Sequence, residues 1–136
     1  VKKPLVIHSR NAGSDCLKAL QTNRAQDVGG VFHCFAEDAL FAEKLAEIGF
    51  YVSFPGQITF KKADEIRRIC RDIPLEQILV ETDAPFLAPE PNRGKRCEPA
   101  FVVDTARKLA EIKGVSLEDV AAATTRNALR LFSLMR

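Results

Sequence analysis

The chain alternates short apolar runs with amphipathic stretches. Leu5-Val6-Ile7 is an aliphatic run that ends at His8. Residues about 12 to 22 then place Ala12, Cys16, Leu17 and Leu20 on one face, the spacing of a helix. Gly29-Gly30 breaks the chain before a second run, Val31-Phe32-His33-Cys34-Phe35. A second helix is predicted over about 37 to 47, with Leu40, Phe41, Lys44, Leu45 and Ile48 setting its period and Gly49 capping its end. Phe50-Tyr51-Val52-Ser53-Phe54 reads as a third strand, turned by Pro55-Gly56. A third helix follows over about 61 to 71, with Ala63, Ile66, Ile69 and Cys70 inward. Ile78-Leu79-Val80-Glu81-Thr82 is a fourth strand. From Asp83 to Pro99 the chain is a loop rich in proline, glycine and charge. Two helices close it, at about 99 to 113 and 117 to 132, with Ser116 as N-cap of the last and Asp119 three residues on.

Strands alternating with helices imply parallel pairing through crossover helices, hence an α/β fold. Near-continuous apolar strands fit a sheet covered on both faces. Two architectures satisfy this pattern: an open doubly wound sheet, or part of a (β/α)8 barrel. A full barrel takes about 250 residues, and four strands in 136 residues come close to half of one. No G-x-G-x-x-G loop supports a dinucleotide site. Residues 1–136 read as a single domain.

Composition narrows the class without naming a partner. Apolar content of 46% and charged content of 28% are ordinary for a globular chain, and a net charge of +2 does not mark a dedicated nucleic-acid binder. Cys16, Cys34, Cys70 and Cys97 show no C-x-x-C or zinc-finger spacing; Cys34 and Cys70 read as small hydrophobes, which fits a reducing, cytoplasmic setting. No apolar run approaches the roughly 18 residues of a membrane span, and no signal peptide is evident, so no membrane partner is expected. The opening Val1-Lys2-Lys3-Pro4, without a Met, fits a chain that continues a larger protein, although processing gives the same start.

Both histidines occupy one kind of place, the C-terminal part of an apolar strand before polar residues. His8 precedes Ser9-Arg10-Asn11, and His33 precedes Cys34-Phe35-Ala36-Glu37. In parallel βα folds that end of the sheet carries function. The fourth strand ends in Glu81-Thr82-Asp83, and period-two alternation puts Glu81 and Asp83 on one face. Two imidazoles and a carboxylate at one rim suit a divalent cation such as Zn, Mn or Mg. Each residue also has an ordinary reading: a hydrogen-bonded rim histidine, or an Asx-turn aspartate. Asn92-Arg93-Gly94-Lys95-Arg96 gathers cations that suit phosphate, with Arg10 a further candidate; the alternative is a solvated loop. Arg67, Arg68 and Arg71 read as the polar face of the third helix, with Arg71 favourable near its C-terminus.

Several of these segments together resemble the TatD family of metal-dependent deoxyribonucleases. Pro4-Leu5-Val6-Ile7-His8-Ser9-Arg10 is similar to the family's fifth-strand motif. Gly30-Val31-Phe32-His33-Cys34-Phe35 is similar to the sixth, and Gly49-Phe50-Tyr51-Val52-Ser53 with Gly56-Gln57-Ile58-Thr59-Phe60 to the seventh. The most specific segment is Leu79-Val80-Glu81-Thr82-Asp83-Ala84-Pro85-Phe86-Leu87-Ala88-Pro89, similar to the eighth strand and its loop. Arg93-Gly94-Lys95-Arg96, Glu98-Pro99-Ala100 and Asn127-Ala128-Leu129-Arg130-Leu131-Phe132 also match.

The resemblance implies a partial TIM-like barrel, strands 5 to 8 with their helices, forming the C-terminal half of the domain. It implies hydrolysis of phosphodiester bonds in DNA, of 3′–5′ exonuclease type, with two divalent ions in the intact protein. The metal ligands it implies are His8, His33 and Asp83, with Asp83 also acting on the attacking water and Glu81 in support. Arg10, Arg93, Lys95 and Arg96 are the phosphate contacts to be tested. The family's first-strand His-x-His and bridging Glu are absent from this span, so the chain alone is expected to be weak or inactive. Cys97 stands where the family usually has Asn, which alters hydrogen bonding near the substrate loop. Two alternatives stay open: a metal hydrolase acting on an amide, lactone or other phosphoester, and a non-enzymatic half-barrel that self-associates through open sheet edges.

Overall fold

The computed structural model describes residues 3–132. The chain forms strands β1 (Leu5–His8), β2 (Gly30–His33), β3 (Phe50–Phe54) and β4 (Ile78–Val80), and helices α1 (Gly13–Thr22), α2 (Ala39–Glu47), α3 (Asp64–Asp72), α4 (Val102–Lys113) and α5 (Leu117–Leu131). All strand pairs are parallel, and the spatial order β1-β2-β3-β4 is the chain order. A doubly wound sheet reverses its order at a switch point. This sheet does not, and consecutive right-handed crossovers leave their helices on one face.

The two faces differ accordingly. On the helix face, Phe32, Phe50, Val52, Phe54 and Ile78 are all at most 1% exposed and join Leu45, Cys70 and Leu109 in the main core. Phe32 packs edge-on against Phe41 and Phe50, with ring centroids 5.7 and 6.2 Å apart. The other face carries Val31 and Leu79, covered by Leu131, Ala128 and Phe132 at the end of α5. Near the β1 edge it is open, and Val6 is 62% exposed.

Predicted and observed elements differ where local chemistry overrides hydrophobic pattern. The second run stops as a strand at His33, because Cys34 takes a left-handed φ of 52°. The fourth ladder ends at Val80, not Thr82. The third helix begins at Asp64 instead of residue 61, so that Asp64 and Glu65, not Lys61 and Lys62, occupy its positively polarised first turn. Its arginines are not all a solvated face. Arg67 donates to the carbonyls of Ile58 and Phe60 at 3.1 and 2.6 Å, and bonds Asp64 at 2.6 Å. It thereby supplies donors to a turn whose carbonyls lack ladder partners. The carbonyls of Arg71 and Ile73 at the end of α3 accept instead from Lys113 of α4. Burial there lowers the Lys113 pKa.

Both predicted caps are present. Gly49 ends α2 with a φ of 75°. Ser116 caps α5 in a reciprocal box with Asp119: the hydroxyl accepts from the Asp119 N–H at 3.0 Å, and the carboxylate accepts from the Ser116 N–H. Asn127 is 2% exposed and donates to the carbonyls of Leu75 and Ile78, which ties α5 to the start of β4. No described helix is long and apolar enough to cross a membrane.

Candidate metal centre

Sheet register brings the two histidines together. His8 and His33 are direct partners across β1 and β2. Their rings lie 5.0 Å apart between centroids, and His8 Nδ1 is 2.9 Å from His33 Nε2. The opposite ring nitrogen of His33, Nδ1, stands 3.5 Å from Glu81 Oε1. That same oxygen accepts from the Cys34 N–H at 2.6 Å, so Glu81 is held across from β4 to the end of β2. A carboxylate beside one imidazole nitrogen orients the ring and leaves the other nitrogen as the ligating atom.

Asp83 lies apart from this pair. It opens with His8, Arg10, Cys34, Glu37 and Gln57 onto a cleft of about 510 Å³ at the strand ends. Glu81 lines a different cavity, with His33 and Ser53 on the open face. The ladder ends at Val80, and the chain turns at Asp83, whose carbonyl accepts from the Phe86 N–H at 2.7 Å, so Glu81 and Asp83 both follow the strand instead of belonging to it. Among the described residues no three His, Cys, Asp or Glu side chains stand together as a ready cation site. The donor chemistry fits a divalent ion at the imidazole pair, and Asp83 borders the same cleft as His8 without closing on it.

The predicted phosphate contacts divide in the same way. Arg10 borders the cleft. Arg93, Lys95 and Arg96 are exposed, and none of them lines it. Arg93 instead stacks over the Phe60 ring, 3.9 Å from its centroid. Cys97 does not face the cleft. It is 2% exposed, and its thiol points to the Glu98 carbonyl while its N–H donates to Pro85. Burial, with Asp83 nearby, raises its pKa. Burial first, then the charges of Glu81 and Asp83, push the Cys34 thiol up to about 11. Burial thus works against a reactive thiolate at either position.

Glu37 and Gln57 were not singled out from sequence. Glu37 lies four positions beyond His33, and its carboxylate reaches the start of α1: a Cβ on Gly13 would lie 2.6 Å from Glu37 Oε1. Gln57 follows β3, and no titratable side chain stands between Phe54 and it. Place at a strand end, regardless of residue type, is the signal that would have found both.

Residues 1–133 match the model of a protein family described as TatD related DNase. The chain belongs to that family. It is 47% identical over 134 residues to the uncharacterized metal-dependent hydrolase YcfH of Escherichia coli K12, covering 98% of this chain and 51% of YcfH. It is 42% identical to the metal-dependent hydrolase YabD of Bacillus subtilis, covering 98% and 52% of the two chains. The chain thus spans about half the length of the curated relatives it matches. Among solved structures it superposes on the TatD homologue YJJV of Escherichia coli with a TM-score of 0.86 and 26% identity, over 96% of this chain and 50% of that one. A TatD-family hydrolase from Entamoeba histolytica gives a TM-score of 0.82 at 21% identity, over 95% and 50% of the chains, a likeness of fold alone.

Proposed function

We propose that this chain is the C-terminal half of a TatD-type (β/α)8 barrel, and that the complete protein is a divalent-metal-dependent hydrolase. Its proposed substrate is the phosphodiester bond of DNA, cut from the 3′ end. The observation that carries this reading is the His8–His33 pair, 2.9 Å apart at adjacent strand ends beside a cleft bordered by Asp83 and Arg10. His8 and His33 are the residues that would hold a cation, with Asp83 joining them once the site is complete. A divalent ion (Mg, Mn or Zn) held there would supply a more acidic water and offset the negative charge of the phosphoryl group, and the complete barrel would hold two such ions. Glu81 fixes the His33 ring, Asp83 orients the attacking water and takes its proton, and Arg10 holds a phosphate oxygen. Arg93, Lys95 and Arg96 hold the strand farther out. Because the chain spans about half of the relatives it matches, the remaining ligands would come from the other half of the barrel, and this chain alone is expected to be weak or inactive. Four free thiols fit a cytoplasmic protein.

The test is a substrate panel with the full-length protein that contains this chain. Single-stranded and duplex DNA are expected to release mononucleotides from the 3′ end, and EDTA is expected to stop that release until a divalent ion is restored. Hydrolysis of lactones or amides with none of DNA would favour the other metal-hydrolase reading. Persistence of DNA cleavage after complete metal removal would end both.

The barrel assignment has its own test. Val6 is 62% exposed here, on the open face beside the unpaired β1 edge. In a closed barrel that side chain is interior, so Val6→Ala in the full-length protein is expected to cost roughly 1–3 kcal/mol in denaturant unfolding. No change would mean that this face stays in water.

A further inference from the structure

We propose that Phe86 is a base-stacking platform that holds an unpaired nucleobase at the rim of the cleft. This rests on the nuclease reading above and adds the residue that would hold the substrate's terminal base. Phe86 is 67% exposed, more than any other large apolar side chain among the described residues. Phe86 does not itself line the cleft, but its chain neighbours do. Asp83, three residues before it, and Leu87, next to it, both border the cleft that His8 lines.

The loop that carries Phe86 is tied down. The Phe86 N–H donates to the Asp83 carbonyl at 2.7 Å, and the Cys97 N–H to the Pro85 carbonyl at 3.0 Å. The Glu90 N–H donates to Thr59 Oγ1 at 2.9 Å. The loop backbone also presses on Gly56, where an added Cβ would lie 2.6 Å from the Leu87 carbonyl oxygen. Ala88 and Cys97 within the loop are each 2% exposed. An anchored loop that buries its small side chains and presents its one aromatic ring to solvent keeps that ring available without paying an ordering cost on binding.

The surrounding charges suit a single strand. The Cys97–Pro85 hydrogen bond brings the chain at Arg96 beside the chain at Phe86, and Arg93 and Lys95 stand just before Arg96 on the same loop. The Arg93 guanidinium is itself held by its stack on Phe60. Cations that track a phosphate backbone next to an aromatic face are the recurrent means of binding single strands. Stacking is indifferent to base identity but needs a base free of its partner strand.

The test uses the full-length protein with Phe86→Ala and Phe86→Trp and oligonucleotides ending in a single-stranded 3′ tail. Phe86→Ala is expected to raise KM by about 5- to 150-fold, the range of one lost base stack, and Phe86→Trp to stay near wild type. Removing the base at one of the last three 3′ positions should erase the difference between wild type and Phe86→Ala, which a merely structural role for Phe86 would not do. An unchanged KM for Phe86→Ala on intact DNA overturns the proposal while leaving the nuclease reading in place. If the protein cleaves no DNA, binding decides: quenching of a 2-aminopurine placed near the 3′ end, lost in Phe86→Ala and kept in Phe86→Trp, upholds the platform. Absence of quenching overturns it.

Discussion

Replacing His33 by alanine is expected to reduce metal-dependent hydrolysis by the full-length protein more than about 100-fold. Residues that only orient a metal ligand already cost about 10- to 100-fold when removed, and His33 is placed as a ligand itself. Its two nitrogens are both engaged: Nε2 meets His8 Nδ1 at 2.9 Å, and Nδ1 stands 3.5 Å from Glu81. The loss should appear together with lower metal content per protein, measured by elemental analysis after gel filtration. Glu81→Gln should fall within the smaller, orienting range and keep more of its metal. Full activity in His33→Ala, with metal content unchanged, would remove this imidazole from the site.

The second large effect is on stability. Phe32→Ala is expected to destabilise the protein by about 3–5 kcal/mol, read as a lower denaturant midpoint at unchanged slope. Phe32 is 1% exposed and touches the Phe41 and Phe50 rings, so truncation leaves a void that α2 and β3 must collapse to fill. It also directly precedes His33 on β2. Loosening this strand should therefore weaken metal retention at temperatures well below the midpoint. A cost under about 1 kcal/mol would mean that the aromatic cluster repacks freely, contrary to the density of protein interiors.

Much of the candidate site was legible from residue type and place. Both histidines close apolar runs, and the parallel register then sets them side by side, as period-two alternation and strand-end logic require. The loop cations and the Asp83 segment were equally visible. Glu37 and Gln57 were not, because each approaches the cleft only after the chain has left its strand. Arg67 was misread for a related reason. Helical spacing showed a polar face, but nothing local showed that the carbonyls of Ile58 and Phe60 would need its donors.

Residue order alone set the alternation of strands and helices through hydrophobic periodicity, the capped start of α5 through Ser116 and Asp119, and the parallel pairing through the crossover helices that this alternation requires. Whether the sheet runs in chain order, which cavity each carboxylate enters and which cations stand at the cleft were decided only by the tertiary structure. Those outcomes turn on where a ladder stops and the backbone bends, as at Cys34 and after Val80, and a bend of one residue redirects every side chain beyond it.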